Sequence, residues 1–169
     1  MPYSANHIVV TVLGRALDNL RAILAKGKAH AQERKVDEAV FLNSRLYPDM
    51  FQLTRQVHVA TDVARGAAAR LSGAEPPTYE NNEQTFDELI ARIDKTLAYL
   101  GTLSPAQIDG SEQRDITLKV GPNMRSFKGQ VFLLHYAMPN FYFHVTTAYD
   151  ILRHCGVNIG KRDFIGQVG

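Results

Sequence analysis

Four polar side chains on the last long helix have the types and spacing of a binding site. Tyr136, Asn140 and His144 recur at i, i+4 and i+8, so they share one helix face. Tyr142 belongs to the same aromatic-rich run. A helix with a purely structural role does not require this combination of phenol, amide and imidazole groups. The sequence therefore predicts a small-molecule pocket lined by these four residues.

A second set of side chains has the chemistry of a metal site. His58 and Asp62 are four residues apart on an earlier helix, so they also share a face. In helical bundles, sites are built in the core from facing helices, which would bring this pair towards His144. Two imidazoles and a carboxylate can hold a divalent ion such as zinc or nickel and leave one position open for water. These three residues are therefore candidate metal ligands.

Simpler interpretations exist for most of these residues. Pro139 has no N–H group and would leave the carbonyl of His135 without its usual helical partner, so Asn140 could bond that carbonyl instead of a ligand. A histidine on a helix face is more often a satisfied core or surface residue than a ligand, and Asp62 alone could be the partner of His58. The aromatic residues beside Asn140 are expected to pack in the core or at a dimer interface.

Composition excludes several classes of function. Hydrophobic residues make up 45% of the 169 residues and charged residues 21%, which is typical of a globular protein. The net charge of +2 is spread along the chain, so we expect no nucleic-acid partner. The single cysteine, Cys155, excludes an internal disulfide and a cysteine-rich zinc site. Because neither a signal-peptide pattern nor a run of roughly 18 apolar residues is present, we expect a cytoplasmic protein that is not in a membrane.

Hydrophobic periodicity predicts the elements that must position these side chains. Apolar residues at three- and four-residue steps indicate four long helices, over about 7–34, 47–72, 85–100 and 128–155. Asp37 is a predicted N-cap for a short turn, Thr85 opens a capping box, and Gly73 is a predicted helix stop. The proline at 139 is expected to bend the last helix.

A β-hairpin is predicted immediately before the last helix. Apolar and polar residues alternate between Arg114 and Val120, and Gly121-Pro122-Asn123 is typical of a turn that leads into a returning strand. Together these elements predict an all-α fold, namely one antiparallel four-helix bundle over residues 1–169 with a small β-hairpin before the last helix.

Several motifs resemble those of a known family. They are the run from Arg45 to Met50 (Arg-Leu-Tyr-Pro-Asp-Met), the segments 56–62 and 69–73, and the run from Pro139 to His144 with the 148–153 segment that follows. Together they are similar to an uncharacterised family of about this length, a domain of unknown function in the DinB/YfiT-like superfamily of four-helix bundles. The resemblance covers nearly the whole chain and implies a central pocket and a homodimer.

The resemblance also implies where a metal would bind. In better-known relatives three histidines bind a divalent metal, one from the second helix and two from an HxxxH motif on the fourth. His58 and His144 match two of these positions, whereas the third is Ala148, which cannot ligate a metal. Asp62, Asn140 or Tyr149 could take its place.

The resemblance leaves two hypotheses for function. The incomplete histidine set favours a metal-free protein that binds a small molecule or has a stress-associated role. The alternative is a metal-dependent transferase or hydrolase. A low-molecular-weight thiol is a candidate substrate, because some relatives are thiol transferases or isomerases. Whether the chain is an enzyme is not decided by these residues.

Overall fold

The structure, a computed structural model, describes residues 4–167 of the chain. This part is mostly helical, and its β-structure is one two-stranded antiparallel sheet. The long helices, in chain order, are α1 (Gly14–Arg34), α3 (Leu53–Ser72), α4 (Phe86–Gly101) and α7 (Met138–His154). The short ones are α2 (Glu38–Leu42), α5 (Pro105–Ile108), α6 (Gly129–Val131) and α8 (Lys161–Ile165). The predicted helical class with a small hairpin is confirmed.

Local sequence signals define several helix ends as predicted. The Asp37 side chain accepts a hydrogen bond from the Ala39 N–H at the start of α2. Thr85 and Glu88 form a capping box at the start of α4. Gly73 ends α3 with φ +80, a left-handed conformation that glycine adopts without steric cost.

The second long helix starts later than predicted, because the Tyr47-Pro48-Asp49 segment forms a turn. The Met50 N–H donates to the Tyr47 carbonyl at 3.0 Å, which places Pro48 at the second position of a β-turn. Proline favours that position as strongly as the first turn of a helix, so its presence alone did not distinguish the two. The first helical residue is Leu53, whose N–H donates to the Ser44 carbonyl at 2.9 Å.

The predicted hairpin is confirmed. Strand β1 (Asp115–Val120) pairs with β2 (Asn123–Lys128), and Val120 lies opposite Asn123 across a two-residue turn. Gly121 has φ +59, which such tight turns require. Strand β2 ends at Lys128, and α6 begins at the next residue, Gly129.

The irregularity at Pro139 is a π-helical segment on its N-terminal side. Residues Phe132–Ala137 are π-helical, and the Met138 N–H donates to the Leu133 carbonyl five residues back. Pro139, which has no N–H to donate, follows this segment directly, so the departure from α-helical hydrogen bonding lies where an α-helical donor is missing. A second π-helical segment, His7–Leu13, leads into α1. π-Helical turns are often found at functional sites.

The core lies between the long helices. α3 contacts both α4 and α7, and α1 also contacts α4 and α7. Small residues on α3 allow this close approach; the five alanines that are at most 1% exposed are Ala60, Ala64, Ala67, Ala68 and Ala69. The C-terminal helix α8 packs on α1, where Asn19 donates its side-chain N–H to the Phe164 carbonyl at 3.0 Å. Within residues 4–167, no helix is both long enough and apolar enough to cross a membrane.

Candidate functional site

The candidate site is a polar cavity of about 250 Å³ between the start of α3, α2 and the loop that precedes α4. Most of its wall consists of charged, amide, hydroxyl or imidazole side chains, and the lining residues are Ala39, Leu42, Asn43, Gln52, Thr54, Arg55, His58, Asn81, Glu83, Gln84. A cavity of this size and polarity suits a small hydrophilic molecule, since pockets for drug-sized ligands are about 300–1,000 Å³ and mostly apolar.

His58 and Glu83 form the buried part of this wall. His58 is 4% exposed, and its Nε2 atom lies 2.7 Å from Oε2 of Glu83. The ring nitrogen is poorly aligned with that oxygen, however, so neither atom completes a hydrogen bond within residues 4–167. The two side chains are therefore in close contact, but Nε2 of His58 and Oε2 of Glu83 each lack a directed partner, that is, one with hydrogen-bond geometry.

The charge states of these two side chains follow from their surroundings. Burial, and then the nearby Arg92 cation, lower the pKa of His58 more than Glu83 raises it, so the imidazole is neutral at neutral pH. Burial raises the pKa of Glu83, but the hydrogen bond from Arg92 and other contacts outweigh it, and the resulting pKa lies below the ordinary range. Glu83 is therefore an ionised carboxylate facing a neutral imidazole.

Arg92 connects this pair to the helix core. Its Nη1 donates to Oε1 of Glu83 at 2.9 Å and to the Glu80 carbonyl at 2.7 Å, which fixes the loop before α4. Its Nε donates to the Thr61 hydroxyl at 2.8 Å, and its Nη2 to Oδ1 of Asp62 at 2.7 Å. The guanidinium thus joins α3, α4 and the loop.

Asp62 and Tyr79 complete the network around these arginines. Oδ1 of Asp62 also accepts a hydrogen bond from Nη2 of Arg65 at 2.9 Å, and Arg65 in turn donates to the Pro77 carbonyl. The Tyr79 ring lies 4.1 Å from the guanidinium carbon of Arg65 and 4.2 Å from Nζ of Lys95. The loop wall of the cavity is therefore fixed by buried arginine contacts.

His144, predicted as both a ligand-binding and a metal-binding residue, has a different partner. Its Nδ1 lies 2.6 Å from Oε1 of Gln56, and the Gln56 amide donates to the Phe51 carbonyl at 3.0 Å. Since Oε1 is an acceptor, Nδ1 carries the proton. The ring stacks on Phe51 at 6.5 Å and meets Phe143 edge-on at 5.2 Å. Burial, and then Arg55, lower the pKa of His144.

The other three predicted pocket residues lie in two separate places. Tyr136 and Asn140 line a cavity of about 120 Å³ together with Asp62. Tyr142 lines a different cavity of about 420 Å³, which lies between α1 and α8. Tyr136, Asn140 and His144 share a helix face in sequence, but the structure does not gather the four predicted residues around one pocket.

The predicted metal set is also dispersed. His58 faces Glu83, Asp62 accepts from two arginines, and His144 contacts Gln56. Within residues 4–167, no group of three or more His, Cys, Asp or Glu side chains is arranged to hold a metal ion. Ala148, at the expected third position, is fully buried in the core. The side chains as arranged do not fit the three-ligand metal site that the resemblance implies.

Sequence reasoning did not include Glu83, Arg92 or Arg55 among the candidate site residues. Glu83 lies in a loop recognised only by its proline and asparagine content, and 25 positions separate it from His58. No periodicity relates residues on a loop and a helix at such a distance. The one available signal was the position of His58 and Arg55 on one face of α3 at i and i+3.

Comparisons with known proteins agree with this architecture. The chain is similar to a crystal structure of a DinB family member protein from Shewanella denitrificans, with 40% identity and a TM-score of 0.87 over 96% of this chain and 92% of that one. The fold is therefore DinB-like. The family described as "Domain of unknown function (DUF1993)" matches residues 6–165, and the chain belongs to that family. No curated protein matches it significantly. The resemblance inferred from the motifs is thus confirmed.

Proposed function

We propose that this protein binds a small polar molecule in the cavity of His58 and Glu83, without a metal ion. One observation carries the proposal: Nε2 of His58 and Oε2 of Glu83 are buried, line a cavity and lack a directed hydrogen-bond partner. An unsatisfied buried polar group costs about 1–3 kcal/mol of stability, and more when it is charged. Such groups persist where a ligand or solvent supplies the missing contact.

The charge states define what the ligand must offer. The ionised Oε2 of Glu83 is a strong acceptor and requires a donor such as a hydroxyl or ammonium group. The neutral His58 ring supplies one donor and one acceptor and adds no charge. The ligand is therefore a small, hydrogen-bonding molecule.

We also propose that the frame of this site is the antiparallel four-helix bundle of DinB-like proteins. The contacts of α3 with α4 and α7, and of α1 with the same two helices, support this arrangement. The similarity to the Shewanella denitrificans structure supports it further. In this frame the cavity lies beside the start of α3.

Histidine NMR tests the proposal directly. Long-range ¹H–¹⁵N spectra of the six histidines would be recorded while pools of amino acids, hydroxy acids and small organic acids are added. We expect at least one pool to shift the His58 signals saturably, while those of the exposed His154 stay unchanged as an internal control. If no pool shifts His58 at millimolar concentration, small-molecule binding in this cavity is wrong.

The alternative, a metal-dependent transferase or hydrolase, has a separate test. It requires His58, Asp62 and His144 to leave their present partners and converge on one ion. Elemental analysis of protein prepared without a histidine tag would measure zinc, nickel and iron, and thermal melting would be repeated with each metal added. We expect less than about 0.1 equivalent of metal and no stabilisation, because a metal that binds the folded state raises its melting temperature. A stoichiometric metal would favour the alternative.

A further inference from the structure

The cavity has a positive end at the start of α3. This helix of 20 residues has no side-chain N-cap and no acidic residue in its first turn. The N–H groups of Thr54 and Arg55 have no acceptor within residues 4–167. The start of a long helix carries a partial positive charge and free N–H donors, which together favour anions.

Arg55 adds a full positive charge at the same place. Its guanidinium carbon lies 5.6 Å from the centre of the Phe51 ring, and it has no carboxylate partner within the described residues. The buried arginines nearby differ, since Arg65 and Arg92 both bond Asp62. Arg55 lines the cavity, so its charge is available to a ligand.

A second, independent observation concerns His58 and Glu83 in the same cavity lining. His58 is 4% exposed and its Nε2 lacks a directed partner, and next to it Oε2 of Glu83 is a buried, ionised acceptor without one. The cavity lining therefore combines the Arg55 cation with the Glu83 carboxylate. Oε1 of Glu83 already accepts from Arg92, so a ligand without a donor group would leave only Oε2 without a directed partner.

We propose that the ligand is a small zwitterion. Its carboxylate binds the Arg55 guanidinium and the free N–H groups of α3, and its ammonium group binds Oε2 of Glu83. A phosphate dianion is disfavoured because the Glu83 carboxylate shares the cavity. The volume of about 250 Å³ is sufficient for an amino acid. This inference rests on the proposed function and specifies its ligand class.

A ladder of ω-amino acids tests the inference by isothermal titration calorimetry. Glycine, β-alanine, 4-aminobutyrate and 5-aminovalerate differ in the distance between their charges, while butyrate and butylamine each carry one charge. We expect one length to bind with a Kd at least about tenfold lower than both single-charge compounds. Equal affinity for butyrate or butylamine would overturn the inference.

Two variants assign the ends of the ligand. Arg55→Gln should raise the Kd of the best zwitterion by about tenfold or more and leave butylamine binding unchanged, and Arg55→Lys should restore part of the affinity. Glu83→Gln should weaken the binding of the zwitterion and of butylamine and leave butyrate binding unchanged. Arg125→Gln, at an exposed hairpin position, is the matched control and should change neither. If circular dichroism shows that Glu83→Gln does not fold, the affinities of Arg55→Gln and Arg55→Lys alone test the inference.

The inference and the proposed function fail in different ways. If metabolite pools shift His58 but no amino acid binds, or if Arg55→Gln binds the zwitterion as the wild type does, the zwitterion is wrong and small-molecule binding stands. If no pool shifts His58 and no ω-amino acid binds, both are wrong.

Discussion

Replacing Arg92 by methionine should destabilise the protein strongly, because Arg92 connects two carboxylates, a hydroxyl and a loop carbonyl. Its side chain is 2% exposed. Methionine keeps much of the apolar volume but removes every donor, so Glu83 is left buried with only neutral His58 beside it. Removing one partner of a buried ion pair costs about 3–5 kcal/mol. Asp62 is 32% exposed and retains its ion pair with Arg65 in this variant. We therefore expect a loss in the free energy of unfolding at the lower end of that range, about 3 kcal/mol.

Urea unfolding followed by circular dichroism at neutral pH measures this change. Lys95→Met is the matched control on the same helix, since Lys95 is exposed and its one side-chain interaction among the described residues is with the Tyr79 ring at 4.2 Å. Its loss should cost less than about 1 kcal/mol. The pKa of His58, followed by NMR, should also rise in Arg92→Met, because the Arg92 cation lowers it in the wild type. The reasoning is refuted if the two variants are equally stable and the His58 pKa is unchanged.

Three further predictions concern the rest of the chain. The folded state lowers the pKa of His58 and His144, so unfolding takes up protons below about pH 6.5. The urea concentration at the unfolding midpoint should therefore decrease when the pH is lowered from about 7.5 to about 5.5, and His144→Gln should make that decrease smaller. Gly129→Ala should lower stability by about 1–3 kcal/mol because its Cβ would overlap the Ser111 carbonyl, whereas Gly101→Ala, in open space, should be nearly neutral. We also propose that the protein forms the homodimer expected from the sequence, because the Phe143 side chain is 57% exposed. Sedimentation velocity should show a dimer for the wild type and weaker dimerisation for Phe143→Ser. A monomeric wild type would contradict this proposal.

Local signals accounted for the parts of the fold that were predicted correctly. The Asp37 cap, the Thr85 capping box and the Gly73 stop each depend on a few neighbouring residues, so their chemistry is readable in sequence. The Pro48 turn was mistaken for a helix start because proline suits both positions. Distinguishing them required the Leu53 to Ser44 hydrogen bond, which joins residues nine positions apart.

The candidate site could be predicted only in part. His58 was identified from its helix face, but its contact with Glu83 depends on how a loop folds back over α3. His144 was also identified, although its partner is Gln56, which was not considered. Helix periodicity gives the face on which a side chain lies but not which of several neighbouring helices or loops covers it. The dispersal of the predicted pocket and metal sets follows from that limit.

The loop before α4 has a consequence for the kinetics of binding. Where a surface loop must order on ligand binding, the ordering reduces affinity and slows association. This loop already has its Glu80 carbonyl bonded to Arg92 and its Pro77 carbonyl to Arg65, next to a stiff Pro76-Pro77 pair. The cavity wall is thus complete before any ligand binds. Association should therefore be a single step, without a slow phase for loop closure.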